Sequence, residues 1–591
     1  MKKKMKRLVS ILLAAAMVMG SSAVALADES TTTNKTVYKS LAANTEIYVV
    51  TDQAKSDYPN YGAKWEPTKG VYYGRAARGG QIPGGYGLAN LNGMSDESMV
   101  SFYYSLNDNY SLEYWSYIYG KALNGSRGLL INLNFNGEGA DCKPVMNGTY
   151  DAKLIADFKY LSRLSCPVFL RIGGEMNVWG NMASPQDFKG AYNHIAQLAR
   201  THAPNVALVF SPNFSAAKGV DMDSFYPNND YVDWVGTSLY YKKFANNGDT
   251  RFDAFYGVGT YGDPMLNIQQ TINLAKMHKK PVMVTEGGSY SSRNGTDTSA
   301  FAAERVQKAY EFLPMVYPQI KAIVYSDTNF GSSGTIYQLD SSAAVNNAYE
   351  KATSHNPVLL HSTNGSAKYY TKASALSGSD WNGMMTLAAY TYDSAKPSAT
   401  WYVDGAAKGT VYEYPYNFTL NASAFTAGKH TVEVKFSNGA SKKVTINVGS
   451  ATATPTEDAL YADGAKKTPS IYKIDGSNYF KVRDVAAVLN GTNKQFSVGF
   501  DNATSSVTLT SGQPYTMTGS EMKPGKGGAV TALVSDNSIY VNGQKLNLKA
   551  YKINGSNYFK LRDLGQALDF YVGYDNSVKS IIVSGYSGYV K

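Results

Sequence analysis

The chain has 591 residues, more than one hydrophobic core accommodates, so two to four domains are expected. Lys and Arg outnumber Asp and Glu by 56 to 46, but Lys2, Lys3, Lys4, Lys6 and Arg7 supply half of that excess. The remainder of the chain is only mildly basic, which argues against nucleic acid as a partner and fits a mixed, solvated surface.

Residues 1–27 read as a secretory signal: a basic start, an apolar stretch from Leu8 to Met19, and Ala25-Leu26-Ala27 as a small-residue cleavage site. The apolar stretch is too short to span a bilayer, and no later one is long enough. A secreted protein, possible to retain at the cell surface through its own domains, is the expectation.

From about 35 to 355, short apolar runs alternate with amphipathic segments. Strands are expected at Gly70–Arg75, Gly128–Phe135, Pro167–Gly173, Val206–Ser211, Val232–Leu239, Pro281–Glu286 and Ile320–Tyr325. Phe188, Tyr192, Ile195, Leu198 and Ala199 recur at helical spacing, as do Ile268, Ile272, Leu274 and Ala275. Strand and helix alternating over this length predict an α/β fold, a (β/α)8 TIM barrel, with an open doubly wound sheet as the alternative. The helix-like segment from Asp151 to Leu164 lies between Cys142 and Cys166. Fourteen helical residues would extend about 20 Å, beyond disulfide reach, so both cysteines are expected unpaired.

Residues 357–449 change texture to short alternating runs with Asp404-Gly405 and Asn438-Gly439 turns, a β-sandwich by size. Residues 450–458 read as a linker. Residues 459–591 hold an internal repeat: the run from Tyr472 to Asp484 recurs from Tyr551 to Asp563, each with a hairpin turn and a short helix that Asp484 or Asp563 is expected to open. This predicts a small α+β module.

Glu175 and Glu286 each end a strand-like apolar run and are followed by Met-Asn or Gly-Gly. Carboxylates at the C-terminal ends of parallel strands sit where barrels keep their chemistry, and glycosidic cleavage needs two of them. Strand alternation predicts that Arg171, Gly173 and Glu175 point the same way, so that Arg171 reaches under the site and favours ionised Glu286; a strand-end arginine on a structural carboxylate is the alternative. Glu138 and Asp327 compete for a catalytic role, with Glu138 also placed to contact substrate or cap a loop. Trp179 and Tyr241 suit sugar stacking or core packing. Asn177 suits a sugar hydroxyl or a turn cap.

Three stretches carry a family resemblance: Arg171-Ile-Gly-Gly-Glu-Met-Asn177 with Trp179, Pro185 through Asn213, and Phe225 through Tyr240. Over residues 70–350 the chain resembles glycoside hydrolase family 26, the β-mannanases. The resemblance implies a (β/α)8 barrel and retaining hydrolysis of a β-linked polysaccharide. It puts Glu175 on the acid/base after strand four, Glu286 on the nucleophile of strand seven, and Tyr240 on the tyrosine that contacts the nucleophile. The family usually has His immediately before the acid/base; this chain has Gly174, which bears on mannan specificity. The sandwich resembles a bacterial immunoglobulin-like module and the repeat a stalk domain, also labelled copper amine oxidase N-terminal-like. Attachment to cell wall or polymer through these modules is the implied partnership. The six histidines form no tight cluster and none ends an expected barrel strand, so neither metal nor cofactor is expected. A non-catalytic cell-surface carbohydrate-binding protein and a cell-wall structural protein are the competing functions.

Overall fold

The computed structural model describes residues 44–590 apart from 55–57, 78–96, 115, 117–126, 136–138, 179–182, 215–219, 244–261, 331–333, 377–379 and breaks of one to three residues elsewhere. The signal-like segment, Glu138 and Trp179 lie outside the described residues.

Eight parallel strands close into a barrel: Val71–Ala77, Met99–Ser105, Gly128–Asn134, Val168–Ile172, Val206–Phe210, Trp234–Tyr240, Val282–Gly288 and Ile320–Asp327. The eighth pairs back onto the first, Ala322 beside Tyr72 through Asp327 beside Ala77. Met99–Ser105 is a barrel strand that the apolar-run reading passes over. Its Ser101 is fully buried and takes a hydrogen bond from Asn132 Nδ2 at 2.8 Å, so a polar residue occupies a position where that reading looks for an apolar one.

The lower barrel interior is apolar, with Met99, Leu130, Phe169, Ala207, Trp234, Met283 and Ala322 packed together. Helices cover the outside. Pro185–His202 starts with Ser184, whose hydroxyl accepts the Asp187 N–H, and with Pro185, whose missing N–H costs nothing at a helix start. It buries Phe188, Ala191, Tyr192, Ile195, Ala196 and Ala199, the expected stripe except for half-buried Leu198. Cys142 and Cys166 are buried and unbonded, and burial pushes both thiols up to about 11.

Two four-stranded antiparallel sheets follow the barrel. One has the order Tyr369–Lys372, Glu46–Thr51, Met384–Tyr390, Phe418–Asn421; the other is Ala406–Val411, Ala399–Val403, Gly428–Phe436, Ser441–Val448. Glu46–Thr51 precedes the barrel in sequence and falls within the span expected for it, yet it pairs on both sides with sandwich strands. Trp401 anchors the sandwich: it is fully buried, stacks on Phe418 and donates its indole N–H to Tyr416 O. Barrel and sandwich share one continuous hydrophobic core. Lys308, buried on the barrel helix Ser299–Val316, pairs with Asp263 and donates to Asp393 O on the sandwich side.

The stretch expected as a linker is instead largely strand. Ser450–Pro455 pairs with Val530–Val534, and Ala451 and Ala453 turn inward while Thr452 and Thr454 turn outward. Alternation of small and β-branched residues suits a strand, whatever the Pro and Thr content suggests. This strand helps close a six-stranded barrel with both hairpins of the repeat. The repeats interlock. Ser477–Lys481 pairs with Ser556–Lys560, Phe480 facing Phe559. The last strand of the second copy, Ser580–Ser584, pairs with Ala459–Ala462, and that of the first, Ser506–Ser511, pairs with Ser538–Val541. Asp484 and Asp563 stand in the first turns of the helices Val482–Leu489 and Leu561–Leu568, as expected, but the Asp484 carboxylate makes no helix cap. It is buried and accepts the N–H groups of Ser470 and Met522, tying neighbouring loops together.

Candidate active site

Both key glutamates reach the barrel mouth through a local break in strand alternation. On the fourth strand Phe169 and Arg171 face the interior. Gly173 then adopts a left-handed conformation (φ 54°), which resets the alternation. A Cβ on Gly173 would point at Phe135 and Phe188, on the helix side, whereas one on Gly174 would point at the Arg171 guanidinium. The expectation that residues 171, 173 and 175 share a direction is therefore corrected. Glu175 is itself left-handed (φ 61°), and its N–H donates to Ser211 O.

On the seventh strand the cause is a bulge. Thr237 pairs with Val284 but Ser238 pairs with Glu286, so Thr285 is an extra residue. As a result both Thr285 and Glu286 face the interior. Thr285 Oγ1 contacts Ser211 Oγ at 2.9 Å and donates to Thr237 O. Glu286 Oε1 accepts from Ser238 Oγ at 2.9 Å and from Arg171 Nη2 at 3.4 Å.

Arg171 is the centre of this network. It is 2% exposed. Its Nε donates to Ser211 Oγ, its Nη1 to Asn132 Oδ1, and its Nη2 to Ser238 Oγ as well as to Glu286. A guanidinium so tethered is a fixed positive charge beside a carboxylate, and it favours the ionised form of Glu286.

Glu175 has a different environment. Its Oε1 accepts from Asn213 Nδ2 at 2.7 Å. Asn213 is held by Asn177, which accepts the Asn213 N–H and donates to its carbonyl. Asn213 also bridges to Ser238 across the fifth and sixth strands. The partners of the two carboxylates, Asn213 and Ser238, are therefore neighbours. Asn177 is buried and spends both ends of its amide on Asn213, so it supports Glu175 rather than presenting itself to a sugar hydroxyl.

Tyr240, at the end of the sixth strand, is buried, donates to Ser326 Oγ at 3.3 Å and sets its ring edge-on to Tyr337. Tyr241 faces the other way. It is 3% exposed, among Ala309, Tyr310 and Leu313 of the covering helix, which makes it a core residue and not a stacking platform. Asp327 is ion-paired to Arg75 and accepts the Leu339 N–H, a structural role.

Asn132, Ser211, Asn213 and Ser238 are the site residues that the sequence reading leaves out. Each lies at or just past the C-terminal half of a barrel strand, which is the signal that locates them. Lys242 is another. Its ammonium lies 5.7 Å from the Tyr240 ring centre, and burial pushes it down to about 8, with the Arg293 charge adding to the effect and Glu175 opposing it. Among the described residues no group of His, Cys, Asp and Glu is arranged to hold a metal ion.

No family model matches the chain. Residues of this chain are similar to a β-1,3-xylanase (TXYA) of a Vibrio species, 24% identical over 161 residues, covering 27% of this chain and 30% of the relative. A β-1,3-xylanase of an Alcaligenes species is 22% identical over the same shares. The match thus spans less than a third of these curated relatives. Among solved structures, a Cellulomonas fimi endo-β-1,4-mannanase double mutant aligns at 14% identity with a TM-score of 0.37, covering 66% of this chain and 98% of that one. The sequence similarity to xylanases, with a closed parallel barrel carrying two tethered glutamates at one end, supports a glycoside hydrolase domain.

Proposed function

We propose that the barrel is a retaining glycoside hydrolase that cleaves a β-linked polysaccharide in the main chain, mannan-type by its family resemblance, with β-1,3-xylan the alternative that the named relatives favour. The observation that carries this reading is the unequal treatment of the two glutamates: Glu286 lies against a fixed guanidinium, and Glu175 against a neutral amide. Two carboxyl groups in different environments divide the labour of nucleophile and acid.

Glu286 attacks the anomeric carbon while Glu175 donates its proton to the departing glycosidic oxygen, and the C–O bond breaks. Water then gives a proton to Glu175 and its oxygen to the anomeric carbon, releasing Glu286. This double displacement requires the two carboxyl groups to lie about 5 to 5.5 Å apart. Tyr240 pairs with Gly288 on the strand that carries Glu286, and the Lys242 ammonium lies near the Tyr240 ring and feels the Glu175 charge. The expected setting is outside the cell, with the sandwich and the repeat module holding the enzyme at the envelope or on polymer. The core of barrel and sandwich ends at Val448, and the cores of the repeat module begin at Ala451, so a chain ending between them tests attachment through the repeat module.

The deciding experiment is reducing-sugar release from β-mannans, β-1,3-xylan and mixed-linkage β-glucans by the wild type and by Glu286→Ala. Release from one polymer that the variant loses supports the hydrolase and names its substrate. Background release from all, with glycan binding that Glu286→Ala keeps, replaces it with a carbohydrate-binding protein.

A further inference from the structure

Gly174 stands directly before Glu175, and its place in the barrel mouth has a consequence for Glu286. A Cβ built on Gly174 would lie 2.4 Å from Arg171 Cζ, 2.4 Å from Nε and 2.6 Å from Nη2. Real carbon contacts of that kind do not occur, so either the residue at 174 has no side chain or the guanidinium moves. Arginine is flexible in general, but this one is not at liberty to give way. Its three nitrogens are committed to Ser211, Asn132, Ser238 and Glu286, contributed by four other strands or strand ends of the barrel. Displacement breaks several buried hydrogen bonds at once and leaves a buried cation with fewer partners.

We infer that in this chain Gly174 is a positioning residue for the candidate nucleophile: by leaving its Cβ position empty it admits the Arg171 guanidinium beneath Glu286, and on this backbone even the methyl of alanine at 174 displaces the guanidinium from Glu286. The inference rests on the hydrolase reading for its kinetic consequence but not for its physical one. It also gives a reason for glycine that backbone conformation does not supply, since Gly174, unlike Gly173 and Glu175 on either side, lacks a positive φ. Among the described residues, Arg171 from the fourth strand and Ser238 from the sixth both contact Glu286; Glu175 and Lys242 lie at the same end of the barrel and keep their identity in the variants below.

The test uses the full chain with Gly174→Ala, Arg171→Lys and the double variant, each first checked for a cooperative thermal transition. The primary readout needs no substrate. The carboxyl ¹³C resonance of Glu286, identified by its loss in Glu286→Gln, is titrated with pH. Gly174→Ala is expected to raise its midpoint by about one unit, as a weakened cationic partner must, and to add little in the Arg171→Lys background, where the contact is already gone. On a polymer that the wild type cleaves, Gly174→Ala is expected to lower kcat roughly 10–100-fold, with KM moving less, and to shift the acidic limb of kcat to higher pH. An unmoved Glu286 midpoint in a folded Gly174→Ala protein, or full additivity with Arg171→Lys, overturns the inference. A moved midpoint in a wild type that cleaves nothing upholds it and removes the hydrolase reading instead.

Discussion

The two ends of the barrel both bury a cation beside a glutamate, and they treat it in opposite ways. At the C-terminal end Arg171 has hydrogen bonds on all three nitrogens and touches Glu286. At the N-terminal end Lys321, on the second residue of the eighth strand, has its ammonium buried without a hydrogen-bond partner among the described residues, 3.5 Å from the Tyr58 ring centre. Glu66, in the loop that closes that end, accepts the Tyr61 and Ala63 N–H groups with one oxygen and leaves the other buried and unbonded. A charge that is tethered on every side is a positioned electrostatic device; a charge that is merely buried is a cost carried by the rest of the fold. The contrast supports the proposed chemistry at one end and tolerance at the other, and it can be broken by substitution at either.

The largest effect is expected at Glu286. Glu286→Ala removes the candidate nucleophile and should lower kcat by about 1,000-fold or more, with a folded protein by circular dichroism. Activity that survives within tenfold would show that the tethered end is not the chemical end. Next in size is Asn213→Ala. It deletes the 2.7 Å hydrogen bond to Glu175 and unties Asn177 only in part, because Asn177 holds the backbone of residue 213. A fall in kcat of roughly 10–100-fold, the scale for one removed positioning donor, is expected in steady-state kinetics, with a smaller change in KM.

At the other end the sign reverses, and substitution should help. Burial pushes Lys321 below the ordinary lysine range, and burial also raises Glu66. In the unfolded chain Lys321 is protonated up to about pH 10.4. Folding must therefore bury an ammonium, or strip its proton, at any lower pH. The lysine penalty is complete below the depressed folded-state pKa and fades as pH rises towards the unfolded value. Lys321→Met with Glu66→Gln removes both charges, and a gain of about 1–4 kcal/mol at neutral pH is expected on the precedent of buried ion pairs replaced by neutral groups. Thermal melts from pH 6 to pH 10 check it: the gain should be larger at pH 6 to 7 than at pH 10. A loss of stability at neutral pH would mean that the Tyr58 contact outweighs desolvation.

The same contrast explains what was legible in the amino-acid order. Seven of the eight barrel strands announce themselves as apolar runs because their interior and exterior faces are both dry. Glu175 and Glu286 are visible because carboxylates are out of place at the ends of such runs. Their supports are not. Ser211, Ser238 and Asn132 are small polar residues of a kind found throughout the chain, and only closure of the barrel gathers them around Arg171. Alternation also fails where the site needs it to. The left-handed Gly173 and the extra Thr285 each shift the facing of the residue that follows by one, which no count of periods reveals. The strand over Ser450–Pro455 was hidden for another reason: Ser450–Ala453 pair with Val530–Leu533, some 80 residues onward, so its local composition carries no sign of that partner.

The smallest expected effect separates two adjacent tyrosines. Tyr240 and Tyr241 look alike in sequence, and both are buried. Yet Tyr240 donates to Ser326 at the barrel mouth, while Tyr241 packs among Ala309, Tyr310 and Leu313 behind the wall. Tyr241→Phe keeps the ring and removes only a hydroxyl whose ionisation burial already suppresses. Its kcat and KM should stay within about twofold of wild type, a change of no more than about 0.4 kcal/mol in barrier height. Tyr240→Phe loses the Ser326 hydrogen bond at the site itself and should lower kcat by more than that. If Tyr241→Phe proved the more damaging of the two, the sixth strand would have to present its opposite face to the substrate, and the assignment of the tethered end as the chemical end would need a different set of supporting residues.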